Sequence, residues 1–166
     1  MIPVLSVVGK SDAGKTTLLE KLIRELKRRG YRVATVKHDA HSFDIDHPGK
    51  DTWRHAQAGS DHVVIASPAR IAHIQRVERE LTLPEIAATI NDVDIILTEG
   101  YKRGPARKIE VSRAEKGSEL LCTREELVAI AADQPFYMDV PQFGLDDAAG
   151  LVDLIEQEFS LRPGEA

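Results

Sequence analysis

Residues 2–8 are an apolar run rather than an alternating one, the pattern of a strand covered on both faces in a parallel sheet. Glycines punctuate the chain immediately afterwards. From Thr16 the apolar side chains Leu18, Leu19, Leu22, Ile23 and Leu26 recur on one helical stripe, with Glu20/Arg24 and Glu25/Arg29 as i,i+4 pairs outside it and Gly30 as the stop. Residues 31–36 read as the next strand. The chain therefore opens with a strand, helix and strand of a size suited to a right-handed parallel crossover.

Residues 38–50 form a polar loop, and 51–58 predict a short helix closed by Gly59. Residues 62–66 and 70–75, joined around Ser67-Pro68, predict a hairpin at the sheet edge. Thr82 and Glu85 make a capping box for a helix through Ile90, after which 93–98 is another strand of the buried type. Further strands are expected at 108–112 and 127–131. A final helix begins near Asp146 or Asp147 and carries Leu151, Val152, Ile155 and Phe159 on one face. Helices alternating with strands predict a three-layer α/β fold with a mostly parallel central sheet and an edge hairpin.

A length of 166 residues suits one domain, expected over residues 1–161 with a flexible tail at 162–166. The 42% hydrophobic and 30% charged content excludes a disordered or fibrous chain. The net charge of -5 argues against a general nucleic-acid binder, because counterion release needs a surplus of lysine and arginine. No apolar stretch approaches a membrane span, and residues 1–8 lack a basic leader, so a cytoplasmic protein without membrane association is expected. Cys122 is the single cysteine, which permits neither an internal disulfide nor a cysteine-based zinc site; it reads as a small packing residue.

The chemistry begins at Gly9-Lys10-Ser11-Asp12-Ala13-Gly14-Lys15-Thr16, which satisfies G-x-x-x-x-G-K-[ST] between a predicted strand and a predicted helix. In that context the spacing makes a phosphate loop, and the fold becomes a P-loop NTPase fold. Gly9 and Gly14 let the backbone curl so that the loop's N–H groups face phosphates, at a point where the helix N-terminus adds positive potential. Lys15 reaches the β and γ phosphates, the Thr16 hydroxyl is the expected Mg²⁺ ligand, and Thr17 touches the α phosphate. Lys10 sits where deviant Walker A ATPases place a signature lysine, although those carry glycines where this chain has Ser11 and Asp12. It is either a solvated or phosphate-near side chain or a lysine acting across a dimer.

Hydrated Mg²⁺ on phosphates needs one or two carboxylates besides the loop hydroxyl. Glu99 closes the apolar strand that begins near Asp94, at the carboxyl end where open α/β sheets gather ligands, and is the preferred acid; Asp94 lies at the far end. The loop from Lys37 to Asp51 reads as a switch, with acids able to reach metal or water and Lys37 or Lys50 able to offset phosphate charge. His38, His41 and His47 with Asp44 and Asp46 are either a solvated loop or ligands to a transition metal. Asp51 also suits a cap for the following helix. Lys102, Arg103, Arg107 and Lys108 flank Gly104-Pro105 in a loop placed at the phosphate face, either solvated or a dock for a pterin phosphate or an acidic partner surface.

Four segments together resemble one family: the phosphate loop; Lys37-His38 with His41 and the run Pro48-Gly49-Lys50-Asp51-Thr52; Thr98-Glu99-Gly100-Tyr101-Lys102; and Val128-Ala129-Ile130-Ala131-Ala132-Asp133. The chain is similar to the molybdopterin-guanine dinucleotide biosynthesis adapters, the MobB family. The resemblance implies a homodimeric GTP-binding adapter, at most a slow GTPase, that assists the guanylyltransferase attaching GMP to molybdopterin, with molybdopterin or its guanine dinucleotide as further ligands. It implies that Gly14, Lys15 and Thr16 hold phosphates and magnesium with Asp51 and Glu99 as nearby acids. The N-K-x-D guanine signature is absent, and Asp133 is its nearest candidate: either a carboxylate after a strand that accepts from guanine N1–H and the 2-amino group, or a loop aspartate before Pro135. A small-molecule kinase or ligase, with 101–107 as a minimal lid, and an ATPase switch dimerising through Lys10 remain as alternatives.

Overall fold

Along the chain lie β1 (Val4–Val8), α1 (Lys15–Arg28), β2 (Val33–Lys37), α2 (Asp51–Gln57), β3 (His62–Ser67), β4 (Arg70–Gln75), α3 (Leu83–Ala87), β5 (Ile95–Glu99), β6 (Arg107–Ser112), a 3₁₀ turn (Ala114–Lys116), β7 (Leu127–Ala132), β8 (Gln142–Phe143) and α4 (Ala148–Phe159). The computed structural model describes residues 1–39 and 43–163. Ala40, His41 and the end of the expected tail, 164–166, lie outside the described residues. The chain divides into two compact units, Met1–His38 with Leu83–Ala166, and Asp39–Thr82.

The larger unit holds a six-stranded sheet in the order β2-β5-β1-β6-β7-β8. Every neighbouring pair is parallel. Such a sheet must be covered on both faces, which is why β1, β5 and β7 are apolar runs without alternation. On one face Leu18, Leu22 and Leu26 of α1 and Leu151, Val152 and Ile155 of α4 are buried against Leu5, Val7, Ile95, Leu97, Ile109, Ala129 and Ala131. Each fully buried leucine or isoleucine there contributes roughly 1.5–3 kcal/mol. On the other face Val8, Leu127 and Ile130 pack with Cys122, Phe136, Met138 and Val140 from irregular segments. Burial pushes the Cys122 thiol up to about 12, and the neighbouring Glu110 carboxylate adds to the shift. Iodoacetamide at pH 8 is therefore expected to leave Cys122 unmodified in the folded protein and to alkylate it in guanidinium chloride, as intact mass would show.

Both expected i,i+4 pairs on α1 are present, Arg24 with Glu20 at 3.3 Å and Arg29 with Glu25 at 2.8 Å. Gly30 follows with φ 92° and ends the helix. Arg29 also binds Asp153 at 2.6 Å and Glu156 at 2.8 Å, clamping α1 to α4. Hydrogen bonds from Arg28, then from Arg29, hold the Glu25 carboxyl down at about 2. A carboxyl depressed in the folded state stabilises the fold fully above its unfolded value of 4.5 and loses that contribution as pH falls toward 2. Glu25→Gln is expected to lower the melting temperature at pH 7, and the difference from wild type should shrink steadily between pH 4.5 and 2.

Several elements depart from the sequence pattern. The expected helix through Ile90 stops at Ala87: Thr89 Oγ1 takes the Ile86 carbonyl at 2.7 Å, and the Thr89 and Ile90 amides bond three residues back. A threonine that competes for a backbone acceptor ends a short helix in this way. Strand β8, only Gln142–Phe143, is too short for any periodicity to show. In the smaller unit α2 packs with β3, Gly59 follows the helix with φ 106°, and β3 and β4 pair antiparallel from His62↔Gln75 to Ser67↔Arg70. The hairpin forms a separate two-stranded sheet rather than joining the edge of the large one, whose edges are β2 and β8. Among the described residues no helix is long and apolar enough to cross a membrane.

Candidate functional site

Strand β1 is central, so the loop leaving its carboxyl end emerges between the ends of β5 and β6. That loop, residues 9–14, is tightly wound: Gly9 has φ 151° and Gly14 φ 99°, and Asp12 is held at φ 57°. A non-glycine residue in the left-handed region costs energy and tends to occur at ligand-gripping sites. The Ala13 amide bonds the Lys10 carbonyl at 3.3 Å, and Gly14 enters α1 with the Leu18 amide on its carbonyl at 2.9 Å. Gly14 offers no side-chain cap, so the amides of the first turn of α1 stay open to an anion at the positive end of the helix.

Ser11, Asp12, Gly14, Lys15, Thr16, Thr17 and Glu99 line one cleft of about 420 Å³. Lys15 Nζ arches back over the loop to the Lys10 carbonyl at 2.9 Å. Glu99 ends β5 opposite Val7, and its Oε1 accepts from the Thr16 hydroxyl at 2.9 Å. Beneath this pair, Thr98 Oγ1 donates to Ser6 Oγ at 2.8 Å between the buried centres of β5 and β1. Asp94 lies at the opposite end of the strand, bound by the Arg32 amide at 2.6 Å and guanidinium at 2.9 Å. The Arg32 contacts hold its carboxyl below the usual carboxylate range, as suits an anchor.

The remaining candidates fall elsewhere. Lys10 Nζ donates to the Lys116 carbonyl at 3.0 Å within the same chain. Asp133 follows β7, exposed, with Oδ1 accepting from the Ala114 amide at 2.7 Å. Asp51 is the first residue of α2 and belongs to the smaller unit. The rings of His38 and Tyr101 meet with centroids 4.9 Å apart, and the His38 amide donates to the Glu99 carbonyl at 3.0 Å. Among the described residues no three histidine, cysteine, aspartate or glutamate side chains gather at metal-binding spacing, and His41 lies outside them.

The basic loop after β5 needs correcting. Arg107 and Lys108 pair with Leu5 and Ser6, so they enter β6 low on the sheet and away from the phosphate loop. Lys108 is 1% exposed, and its three donors are taken by Gly104 O at 2.8 Å, Ala106 O at 3.2 Å and Glu126 Oε1 at 3.0 Å. A buried ammonium survives because it is fully satisfied. Arg107 binds Glu158 at 3.0 Å. Only Lys102 and Arg103 stay exposed.

Sequence reasoning passed over Arg113. It directly follows β6, and its Nε donates to the Ala13 carbonyl at 3.1 Å, bracing the phosphate loop from behind. The rule that singled out Glu99, a polar residue at the carboxyl end of a strand beside β1, applies equally to Arg113.

Comparison with known proteins bears on the family and the fold. Residues 4–133 match the family model described as molybdopterin guanine dinucleotide synthesis protein B, MobB. A molybdopterin-guanine dinucleotide biosynthesis adapter protein of Escherichia coli is 37% identical over 99% of this chain and 97% of its own. Its namesake in Haemophilus influenzae is 36% identical over 93% of this chain and 88% of its own. The crystal structure of Bacillus subtilis MobB superposes with a TM-score of 0.76, at 26% identity, covering 99% of this chain and 100% of that one. With a match over most of its length and two relatives spanning nearly all of it, the chain belongs to the MobB family.

Proposed function

We propose that this protein is a cytoplasmic GTP-binding adapter for molybdenum cofactor biosynthesis, working with the guanylyltransferase that joins GMP to molybdopterin and hydrolysing GTP slowly if at all. The observation that carries the reading is the single cleft in which a wound glycine loop, Lys15, Thr16 and Glu99 converge, in a chain whose relatives are named as adapters of this synthesis. The open amides of the first turn of α1 grip the phosphates, Lys15 swings from the Lys10 carbonyl to the β and γ oxygens, and Thr17 stands at the α phosphate.

The residues present fit Mg²⁺. Thr16 Oγ1 and Glu99 Oε1 are both hard oxygen donors, 2.9 Å apart. Two neighbouring ligands at 2.0–2.1 Å in an octahedral shell stand about 2.9 Å apart, so the pair can accept the ion with little movement. Bound there, the ion would neutralise phosphate charge. Glu99 is proposed as the group that orients water. Competition calorimetry tests the nucleotide claim: ATP displacing GTP at equal concentration would remove the guanine part. A pull-down at micromolar concentration that recovers no guanylyltransferase would remove the adapter part.

A homodimer completes the reading. Val64, Ile65 and Ile71 of the hairpin are 49%, 55% and 63% exposed, and among the described residues no further strand pairs with either of its edges. A lone two-stranded sheet is marginal in water, and apolar strands with open edges call for cover. The cover proposed is the hairpin of a second copy. The wild-type protein is expected to sediment at twice 18.4 kDa and an Ile71→Lys variant at 18.4 kDa.

A further inference from the structure

The geometry points to Arg113 as the residue that reads the purine, its guanidinium donating to the O6 and N7 acceptors of guanine. This rests on the nucleotide site proposed above. The direction of the bound nucleotide follows from the order of strands. Thr16 and Glu99 mark the metal and γ-phosphate end on the β5 side of the loop. The nucleoside must then leave on the other side, where β6 and β7 end and where Arg113 and Asp133 stand.

Arg113 is half-buried and held in place. Nε donates to Ala13 O at 3.1 Å, and both Nε and Nη2 lie 3.4 Å from the position a Gly14 Cβ would take. The guanidinium thus packs directly against Gly14, whose φ of 99° is what calls for glycine. The turn that carries Arg113 is tied from both sides: Lys10 Nζ to Lys116 O at 3.0 Å, the Ala114 amide to Asp133 Oδ1 at 2.7 Å, and Gln134 Nε2 to Gly117 O at 2.9 Å. Among the described residues Nη1 and Nη2 bond no acceptor, and Arg113 makes no ion pair. Asp146, which feels the Arg113 charge, is already paired with Lys21. A half-buried guanidinium with an empty fork beside a ligand cleft is set for two acceptors side by side.

Guanine presents those two acceptors at O6 and N7, whereas adenine places its N6 amino donor against the arginine. Asp133 has one oxygen committed to Ala114, so it is poorly placed to discriminate alone. The preference for guanine is thus assigned mainly to the O6/N7 edge.

The test is calorimetry of GTP, ATP and 7-deaza-GTP, which lacks the N7 acceptor, on the full chain with Mg²⁺. Wild type should bind GTP about tenfold more tightly than 7-deaza-GTP, and ATP more weakly still. Arg113→Met also loses the bond to Ala13 O, so both triphosphates should weaken, but GTP should weaken more, the GTP-to-ATP ratio should collapse toward one, and GTP and 7-deaza-GTP should bind alike. Arg113→Lys keeps the charge without the fork and should lose the discrimination as well. Equal wild-type affinity for GTP and 7-deaza-GTP would overturn the assignment without needing a variant, and so would an Arg113→Met protein that keeps the wild-type GTP-to-ATP ratio. Tight but undiscriminating binding refutes Arg113 alone. Absence of binding by either triphosphate refutes the nucleotide site and Arg113 with it.

Discussion

Replacing Lys15 with alanine is expected to weaken Mg·GTP binding by about 100-fold while leaving the melting temperature nearly unchanged. The two effects separate because Lys15 has different partners in the two states. Without nucleotide its ammonium donates to one neutral carbonyl, Lys10 O, in a partly exposed setting. Such a bond contributes roughly 1 kcal/mol, and alanine at the first position of α1 returns part of that through helix propensity. On the proposed reading, with nucleotide bound the same ammonium would face the β and γ oxygens, and removing it would strand phosphate charge against the loop. Truncating one side of a desolvated charged pair costs roughly 3 kcal/mol, which is about 100-fold in Kd. Calorimetric titration beside a thermal melt checks both halves. A variant that binds as tightly as wild type would show that the loop does not grip a triphosphate.

Gly9→Ala is expected to damage the fold itself. Gly9 leaves β1 with φ 151°, and a Cβ built there stands 2.4 Å from the Val111 carbonyl oxygen. That oxygen is backbone of β6, one residue past the last pair of its ladder with β1 and in register with Ala131 of β7 on the other side, so it has no side-chain freedom with which to retreat. Either the loop moves away from β6 or the ladder opens. An unrelieved clash of this kind costs roughly 3 kcal/mol, which for a chain of this size lowers the melting temperature by about 6–12 °C. Differential scanning calorimetry reads it directly. Gly49→Ala is the control for substitution at positive φ without a clash: φ is 86°, and no atom lies within 4 Å of the added carbon.

These two glycines also show how the site divides between sequence and structure. The spacing from Gly9 to Thr16 exposes the phosphate loop because a strand, a curled backbone and a helix N-terminus are consecutive in the chain. Glu99 is legible for a similar reason: an acid that ends an apolar strand stands where parallel sheets collect ligands, and it meets Thr16 at 2.9 Å. The stripe of α1, its stop at Gly30 and the Asp147 cap of α4, whose side chain accepts from the Gly150 amide, are local events as well. Residue type alone suggests an exposed Lys108, solvated or docking at the phosphate face. Its burial depends on Gly104, Ala106 and Glu126, which the chain brings around it only on folding.

By itself the sequence determined the parallel α/β plan, the amphipathic helices and the tightly wound glycine loop between β1 and α1, since each is written in residues a few positions apart and enforced by burial periodicity or backbone freedom. Tertiary structure alone decided that Arg113 reaches Ala13 across 100 residues, that the β3–β4 hairpin forms a sheet of its own, and that Asp133 is half committed to Ala114. Those facts hang on strand order. Several orders bury the same apolar runs equally well, and only the packed chain selects which carboxyl ends lie side by side.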